Sequence, residues 1–168
     1  MMNFAYLSLG SNVDKERCLP EAVRLLAVHG RIMAVSAVYE TPAIGNPGDP
    51  SYFNAAVILE TELSPAELKQ LVLQPLEHLL GRVRSSDPNP PRTIDVDSSL
   101  FDDEVLTLGK RRIPDPEILL YPHIAVPLAD VAPDYRHPET GETLAGIAAR
   151  TIASSEQHLV RRNDVVLF

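Results

Sequence analysis

Cysteine is almost absent from this chain, since Cys18 is the single one among 168 residues. One thiol cannot form an internal disulfide, and it cannot supply the thiolates of a cysteine-based zinc site. A chain of this length needs neither, because it can bury roughly 68–70% of its unfolded surface in its own core. Cys18 lies among apolar residues at helical spacing, so we expect it to be packed inside the protein.

Two further scarcities exclude whole classes of partner. No apolar run approaches the roughly 20 residues that cross a bilayer, and the Met-Met-Asn-Phe start lacks a basic signal-peptide region. Basic residues are few, because 15 Lys and Arg stand against 23 Asp and Glu, a formal net charge of −8. Affinity for nucleic acid comes mainly from Lys and Arg on phosphates. The sequence therefore predicts a cytoplasmic protein with neither a membrane nor a nucleic-acid partner.

Proline, in contrast, is abundant: the chain has 15, against a typical share of about 5% of residues. The prolines concentrate in two loops, 41–51 and 85–91. No unit of 20–50 residues recurs and no linker is evident, so we predict a single domain over residues 1–168. Long irregular loops inside a compact domain are usually functional, and these two loops therefore mark the region of interest.

Apolar patterning predicts four strands and two long helices before residue 102. Ser64 as N-cap, Pro65 at the first position and Glu67 two residues later form a capping box that opens the second helix. Pro75 lies inside that helix and predicts a kink or local bulge, because it removes a backbone hydrogen bond. Gly10-Ser11-Asn12 has the composition of a turn. The predicted strands are 4–9, 32–39, 52–61 and 93–101, and the predicted helices end at Gly30 and Gly81.

The order strand–helix–strand–strand–helix–strand is the split βαβ pattern of ferredoxin-like folds. The predicted fold class is therefore α+β, a ferredoxin-like βαββαβ sandwich with a C-terminal hairpin and short helices. The start of the first helix stays open, because Pro20 is comfortable only in a first turn. The hairpin would join 105–108 to 111–113, and short helices would lie near 117–120, 127–131 and 144–150. The tail, 159–168, has strand-like content that would add to a sheet edge or meet a partner chain.

Asp95 and Asp97 are the first candidates for chemistry. Side chains alternate along a strand, so both aspartates should point away from Ile94 and Val96, which would enter the core. Two residues of strand span roughly 6.6 Å, a distance over which two carboxylates can share bound metal. Hard oxygen ligands suit Mg²⁺ held together with substrate phosphates. The alternative is an amphipathic strand with an acidic face in water.

Basic residues gather around these aspartates, although the chain as a whole is acidic. Guanidinium groups form bidentate hydrogen bonds to phosphate oxygens and are therefore suited to binding a polyphosphate. Mg²⁺ bridging the same phosphates would explain why acids and bases share a site, and ordinary surface salt bridges are the alternative. The six basic residues are Arg82, Arg84, Arg92, Lys110, Arg111 and Arg112.

Tyr52 and Asn54 share a face of the third predicted strand. A carboxamide can read the edge of a flat heterocycle, and an aromatic ring can stack on its face. The alternative for Asn54 is a hydrogen bond to the adjacent loop backbone.

Five segments occur in the order and at the spacing of one known family. They are LSLGSN (7–12), YETPAIG (39–45), YFNAAV (52–57), GRVR (81–84) and PRTIDVD (91–97), of which the last is the most specific. Through them the chain resembles the 6-hydroxymethyl-7,8-dihydropterin pyrophosphokinases of folate biosynthesis, and the similarity continues through 113–134 to about residue 149. The resemblance implies a ferredoxin-like fold, transfer of pyrophosphate from ATP to the pterin hydroxymethyl group with release of AMP, and two Mg²⁺ ions.

The resemblance also implies roles for individual residues, with ATP and the pterin as partners of a monomer or weak homodimer. The residues implied in catalysis are Arg82, Arg92, Asp95 and Asp97, and the two aspartates would bind the metal ions. The residues implied to contact ATP are Glu77, Arg82, Arg84, Arg92 and Lys110. The residues implied to form the pterin pocket are Thr41, Pro42, Ile44, Tyr52, Asn54 and His123.

Several positions depart from the family pattern. Pro88-Asn89-Pro90 stands where the family has an Arg-Trp-Gly stretch, Asp115 replaces a His, Tyr121 replaces an Arg, and Ser98-Ser99 replaces apolar residues. An acid at position 115 beside a triphosphate would raise the electrostatic cost of binding ATP, unless it faces away or holds metal.

Two functional hypotheses follow from these residues. The first is a pyrophosphokinase. The second is a pterin- or nucleotide-binding relative that kept the fold and lost the ATP chemistry; it would bind pterin without forming AMP. A ferredoxin-like RNA-binding domain is disfavoured, because the net charge is −8 and the chain has no basic-aromatic strand signature.

Overall fold

The computed structural model of the chain describes residues 1–43, 48–82 and 92–168. They form a mixed α+β architecture, as the sequence predicts. The strands are β1 (Asn3–Ser11), β2 (Arg31–Val35), β3 (Val38–Thr41), β4 (Tyr52–Thr61), β5 (Asp95–Phe101), β6 (Leu106–Leu108), β7 (Arg111–Ile113) and β8 (Val160–Arg162). The helices are α1 (Lys15–His29), α2 (Pro65–Leu68), α3 (Gln74–Leu79), α4 (Pro122–Val131) and α5 (Leu144–Ser154). A π-helical turn, Lys69–Leu73, joins α2 to α3, and a 3₁₀ turn, Pro116–Leu119, precedes α4.

The main sheet is antiparallel, in the order β5-β1-β4-β3-β8, with β2 also paired to β4. β1 lies between the edge strand β5 and β4, and it pairs with β4 along its whole length. One row of this register positions the site: Gly10 on β1 lies opposite Asn54 on one side and opposite Asp95 on the other. The fourth predicted strand, 93–101, begins two residues later than expected, at Asp95.

Alternating side chains of the sheet enter two hydrophobic cores. On one face, α1 and the α2–α3 segment pack against fully buried residues such as Leu7 and Phe53. On the other face, α4 and α5 pack over Ala56 and Leu100. Asn54 lies two residues before Ala56 on β4, so it shares the face of the second core.

The α2–α3 segment keeps the signals that predict it. Ser64 Oγ accepts the Glu67 backbone N–H at 3.2 Å, and the Glu67 carboxylate accepts the Ser64 N–H at 3.1 Å. The local bulge predicted from Pro75 is confirmed, because a π-helical turn lies directly before α3. Pro75 then occupies the second position of α3, where a missing N–H is tolerated best.

Three local predictions were wrong or incomplete. Gly10 and Ser11 are not a turn, because β4 and β5 flank β1 and continue the pairing to its end. The strand predicted at 32–39 is divided into β2 and β3, and at the division the Ser36 side chain accepts the Ala56 N–H at 2.8 Å. Pro20 lies inside α1, which begins five residues before it, because burial of the apolar face outweighs one lost hydrogen bond.

The C-terminal third contains the elements that the sequence predicts, with longer helices. β6 and β7 form the hairpin, α4 and α5 extend beyond their predicted ranges, and the tail adds β8 to the edge of β3. Within the three described ranges, none of the helices is both long and apolar enough to span a membrane.

Candidate active site

Asp95 and Asp97 project from the same face of β5. Their neighbours Ile94 and Val96 are 0% and 3% exposed and belong to the first core, while each aspartate side chain keeps 26% of its surface exposed. β5 is the last strand of the sheet on this side. The predicted alternation is confirmed, and it brings two carboxylates together at a sheet edge.

Asp95 is held by two guanidinium groups. Arg82 Nη1 donates to Asp95 Oδ1 at 2.9 Å, and Arg92 Nη1 donates to Asp95 Oδ2 at 3.0 Å. Arg82 also donates to Glu77, whose carboxylate accepts the Val96 backbone N–H at 3.1 Å. Burial opposes ionisation of Asp95, but the Arg82 and Arg92 charges outweigh it and lower the pKa of the carboxyl. Asp95 is therefore an ionised group in a fixed position.

Asp97 is paired with Arg111, whose Nη2 lies 3.3 Å from Asp97 Oδ2. Burial and the charge of Asp95 raise the pKa of the Asp97 carboxyl to about 7. A carboxylate in these surroundings is stabilised by a further cation, and a hard divalent ion fits two carboxylate ligands. Across the part of the chain that the structure describes, no three or more His, Cys, Asp or Glu side chains form a metal-binding group. The pair thus offers two ligands, and phosphate or water oxygens would have to complete the shell.

Two cavities meet at the aspartate pair. The larger, of about 780 Å³, lies between the α2–α3 segment and the β6–β7 hairpin. The smaller, of about 250 Å³, lies beside the ends of β1 and β4 and the start of α4. Arg92, Asp95 and Asp97 line both. A group passed from one bound molecule to another would cross this shared wall.

The larger cavity collects most of the residues expected to contact ATP. Lys69, Gln70 and Gln74 also face it, and the sequence analysis did not predict them. They were missed because their spacing along a helix carries no motif. The predicted residues that line this cavity are Glu77, Arg82, Arg92 and Lys110.

Two members of the predicted basic cluster differ in placement. Arg111 lines the larger cavity, whereas Arg112, the next residue on β7, donates to Glu139 on the other side of the hairpin. Arg84 lies in 83–91, outside the described residues.

The smaller cavity collects the residues expected to bind the pterin: Thr41, Pro42, Tyr52, Asn54 and His123. Asn54 Nδ2 donates to the Tyr39 carbonyl at 3.0 Å and to Thr41 Oγ1 at 2.9 Å. Its backbone partner therefore belongs to the neighbouring strand β3 and not to the adjacent loop that was weighed as the alternative. These bonds turn the carboxamide oxygen towards Gly10. Ile44 lies in 44–47, outside the described residues.

His123 is oriented by a residue that the sequence analysis missed. Its Nδ1 lies within hydrogen-bond distance of the Gln157 carboxamide, 34 positions away in the chain. Burial lowers the pKa of the imidazole, which favours a neutral ring. The His123 ring also stacks on Tyr121, with ring centroids 5.4 Å apart.

Asn12 is a second missed residue. Its side-chain oxygen accepts the Arg92 backbone N–H at 2.7 Å, and its Nδ2 donates to the Pro50 carbonyl at 3.2 Å. Asn12 thereby connects the end of the first proline loop to the residue that follows the second. Its signal in the sequence was a polar residue at the end of an apolar strand, which we interpreted as turn chemistry.

Comparison with known proteins assigns the chain to a family. The family described as 7,8-dihydro-6-hydroxymethylpterin-pyrophosphokinase (HPPK) matches residues 6–133. The chain belongs to the HPPK family.

Curated HPPK relatives cover most of this chain. The 2-amino-4-hydroxy-6-hydroxymethyldihydropteridine pyrophosphokinase of Bacillus subtilis is 37% identical over 134 residues, which are 78% of this chain and 79% of that protein. The protein of the same name from Methylorubrum extorquens is 40% identical over 141 residues, 79% of this chain and 85% of that protein.

Solved structures share the fold. The crystal structure of Plasmodium falciparum HPPK-DHPS wild type with pterin and p-hydroxybenzoate superposes with a TM-score of 0.68 at 15% identity. The match covers 91% of this chain but 42% of that longer chain.

Asp115, a departure from the HPPK pattern, neither faces away nor stands alone. It is 7% exposed, its Oδ1 accepts the Glu117 backbone N–H at 2.9 Å, and its Oδ2 lies 3.2 Å from Arg111 Nη2. It lines the smaller cavity together with Asp97. The acid at this position is thus matched by a neighbouring cation.

Proposed function

We propose that this HPPK-family chain transfers pyrophosphate from ATP to 6-hydroxymethyl-7,8-dihydropterin and yields AMP and the pterin diphosphate, a step of folate biosynthesis. One observation carries the proposal: two cavities of unequal size share a wall made of Arg92, Asp95 and Asp97. A donor and an acceptor bound on either side would bring their reacting atoms to these residues.

The pterin would occupy the smaller cavity. Tyr52 and a neutral His123 are two of the three aromatic rings that line it, Tyr121 being the third, and both would offer a face to a flat heterocycle. The Asn54 carboxamide oxygen is an acceptor suited to the ring N–H and amino donors of a pterin edge. Thr41 and Pro42 also line this cavity, and Ile44 is proposed beside them from the resemblance.

The triphosphate would occupy the larger cavity. Arg82, Arg92 and Lys110 line that cavity and would neutralise phosphate charge, and Arg84 is proposed with them from the resemblance. Glu77 is 6% exposed and bonded to Arg82 and Val96. We propose that it positions Arg82 and β5 and does not receive the nucleotide directly.

Two magnesium ions are proposed to enter with ATP, bound by Asp95 and Asp97. The chemistry of the donor set supports this: both ligands are hard oxygens, and burial together with the Asp95 charge raises the pKa of the Asp97 carboxyl to about 7. When bound, such ions neutralise phosphate charge and help to align the donor.

The chain's own residues would act by positioning and electrostatics. The hydroxymethyl oxygen attacks the β-phosphorus of ATP and loses its proton to solvent. A new oxygen–phosphorus bond forms, and the bond from the β-phosphorus to the oxygen bridging it to the α-phosphate breaks. AMP leaves with that oxygen. Arg92, anchored on Asp95, lies at the wall where charge develops, and we assign no general base.

The finer description of the fold is also a proposal. The order β5-β1-β4-β2/β3, with α1 and the α2–α3 segment on one face, supports a ferredoxin-like βαββαβ unit that acts as one domain over 1–168. The C-terminal helices α4 and α5 would then be additions to the opposite face. A cytoplasmic location and a monomer or weak homodimer stay predictions from the sequence.

To test the proposal, the protein is mixed with ATP, Mg²⁺ and the hydroxymethyl dihydropterin, and the formation of AMP is measured by chromatography. We expect AMP and pterin diphosphate in equal amounts from the wild type, and loss of both in Asp97→Asn. Asp103→Asn, an exposed acid two residues beyond β5, is the matched control and should leave the rate unchanged. Pterin binding without AMP in the wild type would contradict the proposal and support the non-catalytic relative.

A further inference from the structure

Arg111 occupies a position between two carboxylates at the wall of the larger cavity. Its Nη2 lies 3.3 Å from Asp97 Oδ2 and 3.2 Å from Asp115 Oδ2. The Arg111 side chain is 42% exposed and lines the cavity proposed for the triphosphate. A guanidinium has five N–H donors, so it can keep one carboxylate partner and still bind a phosphate.

Asp115 is the fixed partner of this arrangement. Its backbone N–H donates to the Ser99 carbonyl at 2.9 Å, and its Oδ1 accepts the Glu117 N–H at the start of the 3₁₀ turn at 2.9 Å. The Asp115 side chain is 9% exposed, so its second oxygen can hardly turn away. That oxygen, Oδ2, is the one that faces Arg111.

Arg111 and its basic neighbour Arg112 point in opposite directions from β7. Arg111 and Arg112 are adjacent on β7, so their side chains leave opposite faces of the hairpin. Arg112 donates to Glu139, while Arg111 reaches towards Asp97 and Asp115. Arg112 is therefore a matched reference for Arg111, with the same charge on the same strand.

We propose that Arg111 is a phosphate-binding residue of the larger cavity and that Asp115 is the positioning residue that holds it there; this rests on the proposed function. In the free protein Arg111 bridges Asp97 and Asp115. With nucleotide bound, Asp97 would be one of the residues that hold the metal, while Arg111 keeps Asp115 and donates its other N–H groups to phosphate oxygens. Asp115 thus supports nucleotide binding although it carries the same sign of charge as the nucleotide.

The opposite interpretation makes a different prediction. If Asp115 acts only through its charge, its removal lessens repulsion and tightens nucleotide binding. If Asp115 acts by orienting Arg111, its removal weakens nucleotide binding, and only while Arg111 is present. The sign of the effect therefore separates a positioning role from simple repulsion.

The experiment is a double-mutant cycle in which the affinity for an ATP analogue with a methylene between the α- and β-phosphates is measured by calorimetry with Mg²⁺. Arg111→Leu should weaken binding by about tenfold or more, the loss of a charge-assisted hydrogen bond. Asp115→Asn keeps the helix cap, since Asn caps as well as Asp, and should weaken binding by about three- to tenfold. In the Arg111→Leu background the same Asp115→Asn change should weaken nothing.

Controls make each outcome decisive. Arg112→Leu should bind the analogue like the wild type, and pterin affinity, measured separately, should stay unchanged in Arg111→Leu. Tighter binding by Asp115→Asn, or equal losses in Arg111→Leu and Arg112→Leu, would overturn this inference while the proposed function stands. A wild type that binds no analogue would overturn both. Arg111 is partly exposed, so Arg111→Leu also tests the inference if Asp115→Asn fails to fold.

Discussion

Gly10 on β1 lies directly opposite Asn54 on β4. A Cβ atom built at Gly10 would lie 3.8 Å from Asn54 Oδ1 and 3.7 Å from Tyr52 Cδ1, which are ordinary contact distances. Gly10 is within a strand, so its backbone does not require glycine. What the missing side chain provides is open space at the smaller cavity, which Gly10 lines together with both residues.

Substitutions at Gly10 should therefore show that the site needs open space at this position and not the conformational freedom of glycine. Gly10→Ala should keep pterin affinity close to that of the wild type, because a methyl group fits. Gly10→Val should weaken pterin binding by about tenfold or more, since overpacking typically costs about 1–3 kcal/mol. Fluorescence titration with the pterin measures this, and the affinity for the ATP analogue should be unchanged. Wild-type pterin binding by Gly10→Val would show that no ligand approaches this strand.

The buried Glu77 carboxylate connects α3 to the site strand. It accepts the Val96 N–H and the Arg82 guanidinium. Burial raises the pKa of this carboxyl, while the Val96 N–H and Arg82 oppose that rise. Truncating Glu77 leaves the buried Val96 N–H without its acceptor and leaves Arg82 with Asp95 alone among the described residues.

Glu77→Ala should lower the free energy of unfolding by about 2–3 kcal/mol, because buried unsatisfied donors are costly. Glu77→Gln should lower it less, because the amide oxygen can still accept the Val96 N–H. Urea denaturation followed by circular dichroism gives both values. Glu62→Ala, at an exposed acid before the same segment, is the control, and a loss no larger than its own would contradict the role given to Glu77.

The site could be predicted from the sequence wherever the signal is local. Asp95 and Asp97 share a face because strands alternate, and the Ser64–Glu67 capping box sets a helix start within four residues. Both follow from neighbours in the chain, so composition and spacing were sufficient. The bulge before Pro75 is equally local.

The remaining features depend on residues far apart in the chain. Asn12 meets Arg92 across 80 positions, and His123 meets Gln157 across 34, and no spacing rule links them. Gly10-Ser11 has turn composition, but pairing on both sides makes it a strand. Asp115 looked repulsive although Arg111 is only four positions away, because spacing alone does not show which way either side chain points.

Arg92 should matter more for turnover than for holding the pterin. It lines both cavities and donates to Asp95, so its charge lies where the transferred group would pass. Arg92→Ala should lower kcat by about 10²–10³-fold, the usual loss when a donor to developing charge is removed. Pterin affinity should change far less. Steady-state AMP formation measures kcat, and titration with the pterin measures its affinity. Arg24→Ala, at an exposed position of α1, is the control. Equal losses of kcat and of pterin affinity in Arg92→Ala would contradict the assignment.

His137 should make the stability of the fold depend on pH. It is 2% exposed, and its Nδ1 accepts the backbone N–H groups of Glu139 and Thr140 at 3.2 and 3.3 Å. An accepting Nδ1 requires a neutral ring. Burial lowers the pKa of the imidazole, although the Glu139 and Glu142 charges oppose this.

Because the folded pKa of His137 lies below the unfolded value of about 6.5, the unfolded chain binds more protons as the pH falls. The stabilisation is therefore complete above about pH 6.5 and is lost as the pH decreases towards the folded pKa. Between pH 7.5 and pH 5.5 the wild type should therefore lose free energy of unfolding relative to His137→Asn, whose side-chain oxygen can accept the same N–H groups and does not titrate. Other groups with shifted pKa values, such as His123, whose pKa is lowered, and Asp97, whose pKa is raised to about 7, act in both proteins and cancel in this difference. Urea denaturation at the two pH values measures the free energy of unfolding of both proteins. An equal change with pH in the wild type and in His137→Asn would show that His137 is protonated as readily in the folded protein as in the unfolded one.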